Sequence, residues 1–91
     1  MSNSIELKPL KYRSQPTLIG MIYKIEEEDR EFSRALLKND IDNAIEEFYD
    51  RIQVSLNALR MLGIPLEVIV EGQEKHFEKL KNRGWEFEDN R

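Results

Sequence analysis

Residues 41–62 read IDNAIEEFYDRIQVSLNALRML, and the spacing of their apolar side chains decides the fold. Ile41, Ile45, Phe48, Ile52, Leu56 and Leu59 recur at helical intervals and draw one apolar stripe along a helix. At about 100° per residue, Glu47, Asp50, Val54, Asn57, Ala58 and Met61 gather on a second side. Only a narrow strip with Tyr49, Gln53 and Arg60 is left for solvent. A helix that is apolar on two sides is packed on two sides. Glu47, Asp50 and Asn57 are therefore expected to be half-buried. Carboxylates in that position require partners, because burying an unpaired charge is expensive.

Working outward, residues 16–38 carry a second helical pattern, with Leu18, Ile22, Ile25, Phe32 and Leu36 on its stripe and Pro16 in its first turn. Asn39 and Asp40 form the connector, and Asp40 is a capping residue. Gly63 stands where a helix is followed by a glycine. Pro65 opens a third helix with Leu66, Ile69, Val70, Phe77 and Leu80, which Gly84 ends. Residues 1–15, interrupted by Pro9 and basic at Lys8, Lys11 and Arg13, read as an extended N-terminal arm, and residues 85–91 as a tail. The predicted organisation is an arm (1–15), a helical domain (16–84) and a C-terminal tail (85–91). The fold class is all-α: an antiparallel helical hairpin within a three-helix unit, whose two-sided member builds a four-helix-bundle-type oligomer. A homodimer or homotetramer is expected, because three helices leave apolar surface uncovered in a monomer.

Composition narrows the function classes. A chain of 91 residues makes one small domain, for which association is a natural source of stability. The absence of cysteine removes disulfides, thiolate metal sites and cysteine nucleophiles together, and fits a cytoplasmic location. The N-terminus has no basic region followed by an apolar run, so no secretory signal is expected. No apolar stretch approaches the roughly 20 residues that span a bilayer, so no membrane partner is expected either. A net charge of −4 argues against nucleic acid as a partner.

The candidate chemistry lies in two acidic pairs, Glu28 with Glu31 and Glu47 with Asp50, each spaced three apart on a predicted helix. Residues at that spacing are neighbours, so each pair aims two carboxylates the same way. Acidic residues number 18 of 91, so roughly three or four such pairs arise by chance; position decides their meaning. Two helices side by side would bring the four carboxylates around one volume, a hard-oxygen cage for Mg²⁺ or Mn²⁺. The plain alternative is an ion pair between Glu47 and Arg51, four residues on. On the third helix, Gly72, His76, Lys79 and Arg83 fall on one strip with Lys75 beside it. Cations there suit a polyphosphate, while the ordinary reading is complementation of the helix dipole. A lone histidine such as His76 is more often a surface or packing residue than a ligand.

The segment Lys24-Ile-Glu-Glu-Glu-Asp-Arg-Glu-Phe32 resembles the first motif of the MazG family of nucleoside triphosphate pyrophosphohydrolases, Glu-Glu-x-x-Glu. Glu46-Glu-Phe-Tyr-Asp50 resembles its second motif, Glu-Glu-x-x-Asp. Asn57 and Leu62-Gly63-Ile64 follow at the family's usual offsets, and residues 74–83 take the place of its basic final helix, so the resemblance spans roughly residues 16–84. It implies Mg²⁺ held by Glu28, Glu31, Glu47 and Asp50, with Glu27 and Glu28 as catalytic acids. It also implies substrate contacts from Asn57, Lys75, His76, Lys79 and Arg83. The implied reaction is attack of a metal-activated water on a nucleoside triphosphate, giving a monophosphate and pyrophosphate, in the service of cleaning the nucleotide pool. Five positions depart from the family's pattern. Asp29 and Arg30 stand where small or apolar residues are usual, Arg51 replaces an apolar residue beside Asp50, and Glu74 and His76 stand where Asn and Lys are expected. The competing reading is a non-catalytic helical interaction protein that keeps the bundle. Arg51 separates the two: aimed into the acidic cluster it takes the place of a metal, and aimed outward it leaves the site open.

Overall fold

The computed structural model describes residues 4–12, 14 and 16–88. The ends of the expected arm and tail, and Arg13, lie outside the described residues. Three helices follow in order: α1 (Leu18–Leu37), α2 (Ile41–Met61) and α3 (Leu66–Asn82). Among the described residues there is no strand, and the fold class is all-α. Contacts divide the chain into two compact units, one of Leu7–Gly63 and one of the residues through Glu6 together with those from Ile64 onward.

The helix ends have local causes. The Thr17 hydroxyl accepts from the Gly20 N–H at 3.0 Å and caps α1, so the helix begins after Pro16. At its other end Asn39 takes φ 55°, a left-handed conformation that asparagine tolerates. The Asp40 N–H then reaches Ala35 O at 3.0 Å and the Asn39 N–H reaches Leu36 O at 3.1 Å, a Schellman closure. Asp40 in turn caps α2 by accepting from the Asn43 N–H at 3.4 Å. Gly63, at φ 81°, follows α2 as expected of a residue that must be left-handed. Gly84 (φ 87°) and Trp85 close α3 in the same way as Asn39 and Asp40 close α1, with the Trp85 N–H on Leu80 O at 3.0 Å.

Within the first unit α1 and α2 pack as a hairpin. The buried residues of α1 are Met21, Glu28 and Ala35, spaced by sevens, with Ile25 and Phe32 half-buried between them. That alternation of threes and fours is the seam of two helices running alongside each other. On α2 the buried positions are Ala44, Glu47, Leu56 and Asn57, with Asp50, Val54, Ala58 and Met61 half-buried. The polar second side of α2 is therefore the side that packs. On the first stripe Leu56 is buried and Ile52 half-buried, but Ile41 and Ile45 each leave more than half their surface in solvent, and Phe48 and Leu59 are exposed as well. The pattern identified which faces are apolar, and the hairpin covers the one that carries the acids.

The leading segment of this unit takes no regular structure over residues 7–12, but it is tied down. Lys8 O accepts from Gln53 Nε2 at 2.8 Å, the Leu10 N–H donates to Asn57 Oδ1 at 3.2 Å, and the Tyr12 hydroxyl donates to Met21 Sδ at 3.8 Å. In the second unit, α3 has no buried residue among those described. Phe77 meets Phe87 edge to face with ring centres 5.2 Å apart, and His76 lies 6.1 Å from Phe77.

Candidate metal centre

Glu28 and Glu47 occupy seam positions of the α1–α2 hairpin, where a helical pair ordinarily places leucine or alanine. Glu28 is 4% exposed and Glu47 is 9%. Carboxylate oxygens of Glu28, Glu47 and Asp50 converge within 4.8 Å of one another, and so do those of Glu27, Glu28 and Glu31. Glu28 belongs to both groups. The five acids singled out in the sequence thus fall into two triads that share Glu28, with Glu27 exposed at the margin.

The electrostatics are those of a site short of positive charge. Lys24 Nζ reaches Glu28 Oε1 at 3.1 Å and Glu27 Oε1 at 3.4 Å, and its pKa is raised, chiefly by the hydrogen bond to Glu28. It meets only one edge of the cluster. Taken as ionised, Glu28 Oε2 and Glu47 Oε2 are buried with no hydrogen-bond partner. A proton relieves them in part: the Glu47 carboxyl is pushed up to about 7, first by hydrogen bonding to Glu28, then by burial, then by the charges of Glu31, Glu28 and Asp50. A divalent cation would relieve them further, since carboxylate oxygens with no nitrogen or sulfur donor form the set that suits Mg²⁺ or Mn²⁺. The residues present fit the ion.

Arg51 does not enter this cluster. Its Nε donates to Asp29 Oδ1 at 2.7 Å, and its guanidinium lies over the Phe32 ring, 4.7 Å from the centre. The local pairing of Arg51 with Glu47 that the sequence allowed is replaced by one between helices, and Asp29 lies at the surface with its side chain half exposed.

Asn57, the first expected substrate contact, is 4% exposed and sits on α2 two turns beyond Asp50. Its Oδ1 accepts from the Leu10 N–H and from Gln53 Nε2, each at 3.2 Å. Gln53 was read as solvent-facing; it is the link between α2 and the leading segment. Sequence could not have found that link, because Lys8 and Gln53 lie far apart in the chain. Lys24 was also missed, although its spacing of four from Glu28 was a legible signal. Lys75, His76, Lys79 and Arg83 are exposed on α3 or at its C-cap, within the second unit. No helix among the described residues is long and apolar enough to cross a membrane. Compared with protein-family models, with curated proteins and with solved structures, the chain finds no significant match.

Proposed function

We propose that this chain is a Mg²⁺- or Mn²⁺-dependent nucleoside triphosphate pyrophosphohydrolase of the MazG type, acting in the cytoplasm on the nucleotide pool. The observation that carries the reading is the pair of buried, unpartnered oxygens, Glu28 Oε2 and Glu47 Oε2, facing a cluster with Asp50 and Glu31. Two carboxylates buried together at a helical seam are destabilising unless a cation is their partner. When bound, a divalent ion supplies an activated water and neutralises phosphate charge. Glu28, Glu31, Glu47 and Asp50 would hold it. Glu27, half exposed and 3.4 Å from Lys24 Nζ, would accept a proton from water. Lys75, His76, Lys79 and Arg83 are the cations that the resemblance assigns to the phosphates.

The exposed apolar stripe of Ile41, Ile45, Phe48 and Leu59 supports a homodimer or homotetramer in which a second hairpin completes a four-helix bundle. Lys8 and Lys11 would make the leading segment a basic arm of this assembly. The same stripe also favours the second reading, an interaction protein in which Lys24 alone balances Glu28. A pyrophosphate-release screen over ordinary and modified nucleoside triphosphates, with Mg²⁺ and with Mn²⁺, separates the two. Pyrophosphate and a monophosphate in equal amounts support the enzyme, and no release from any substrate leaves the interaction protein.

A further inference from the structure

Beside Asn57 the leading segment and the C-terminal half of α2 enclose a cleft of about 550 Å³, within the size range of small-molecule sites. Its walls include Pro9, Leu10 and Met61, its aromatic member is Tyr12, and Lys11 and Arg60 add positive charge. The hydrogen bonds around Asn57 determine what it can still offer. A backbone N–H only donates and a backbone carbonyl only accepts. The Leu10 N–H on Asn57 Oδ1 and the Gln53 Nε2–Lys8 O bond therefore fix the orientation of both amides. With Gln53 Nε2 also on it, Asn57 Oδ1 has both lone pairs engaged. What remains is the Asn57 NH₂, a donor of two hydrogens, in a lining that Lys11 and Arg60 make positive.

We propose that this cleft binds the nucleoside end of the substrate and selects a base that presents carbonyl oxygens. The apolar walls take the faces of a flat heterocycle, and Asn57 Nδ2 donates to a carbonyl on its edge. A base that presents an amino group there would set N–H against N–H, leaving buried donors unpaired. Seven residues separate Asp50 from Asn57, about 10 Å along α2 and nearly the same side of the helix, so one ligand can reach both the acidic cluster and the cleft. That alignment rests on the pyrophosphohydrolase reading; the cleft's own chemistry does not.

The test uses nucleosides without phosphates and the full chain without metal, so that failure of the acidic cluster leaves the result untouched. Uridine (two carbonyls) and adenosine (none) are titrated to millimolar concentration while backbone and side-chain amide resonances are followed. The expected result is saturable movement of the Leu10, Gln53 and Asn57 signals with uridine and several-fold weaker binding of adenosine. Asn57→Asp keeps an acceptor for Leu10 and Gln53 but loses the NH₂, and should weaken uridine about tenfold while retaining the helical spectrum. Met61→Trp, which fills the cleft without touching either amide, should weaken both nucleosides. Silence of the three signals toward uridine overturns the site, and equal binding of adenosine overturns the carbonyl selection. If Asn57→Asp unfolds, the Met61→Trp result decides alone: unchanged uridine binding overturns the site.

Discussion

Arg51 on α2 and Asp29 on α1 are partners: Nε meets Oδ1 at 2.7 Å while the guanidinium lies over Phe32. Two of the positions at which this chain departs from the motifs it resembles thus answer each other across the hairpin, and the arginine's charge is drawn off the acidic seam. Both side chains are substantially exposed, so the pair should be worth under about 1 kcal/mol. In a double-mutant cycle, Asp29→Asn and Arg51→Met should show coupling in that range, and Arg51→Met alone should leave the Mg²⁺-induced rise in Tm unchanged. Loss of that rise in Arg51→Met would show that the arginine serves the metal site after all.

Glu28 belongs to both carboxylate groups, which makes Glu28→Gln the most informative single change. In EDTA the variant should melt at or above the wild-type temperature. It removes one charge from a crowded seam and loses only a half-exposed lysine partner. A ligand that binds only the folded state adds about 2.7 kcal/mol at a hundredfold excess over Kd, so wild type should melt higher with millimolar Mn²⁺. The variant should lose most of that increment. A wild type whose melt is identical with EDTA and with Mn²⁺ ends the metal reading.

Lys24 competes for the site that a metal would take, since its ammonium holds Glu28 Oε1 at 3.1 Å. Lys24→Met should lower the Tm in EDTA slightly and tighten Mn²⁺ binding severalfold, because a like charge is removed from beside the ion. Calorimetric titration reads this directly. Weaker Mn²⁺ binding in the variant would make Lys24 a structural support of the cluster instead of its rival.

The raised carboxyl of Glu47 gives the metal-free protein a defined pH response. A group whose folded pKa stands at about 7, above its ordinary 4.5, binds more protons folded than unfolded between those values. Its contribution to stability is complete below about pH 4.5 and is lost as pH rises through 7. The Tm in EDTA should therefore fall between pH 5.5 and 8, and Glu47→Gln should flatten that fall. Metal and proton compete for the same oxygens, so the Mn²⁺ increment should grow over the same interval. An increment that shrinks as pH rises would contradict the assignment of Glu47 as a ligand.

Local chemistry was legible in the sequence. Asp40, Gly63, Pro65 and Gly84 mark the helix boundaries within a residue or two, since caps and left-handed turns depend on neighbours only. The second side of α2 was legible too, from Glu47 through Asn57 to Met61. What could not be read was which face meets which partner. Ile41, Ile45 and Phe48 form the stronger apolar stripe, yet α1 packs on the weaker, acidic side. Periodicity ranks faces by hydrophobicity and carries no information on pairing. Arg51 shows the same limit: Glu47 was near in sequence, and Asp29, its actual partner, is near only after the hairpin has closed.

The seam carboxylates Glu28 and Glu47 come from two different helices of a very small protein. An ion gripped by both would act as a clasp on the hairpin, and release of the ion would loosen the element that organises the unit. The lifetime of such a chain in the cell would then follow its divalent-cation supply, because opened chains are the ones that proteases degrade. Cells starved of the ion would lose the protein itself.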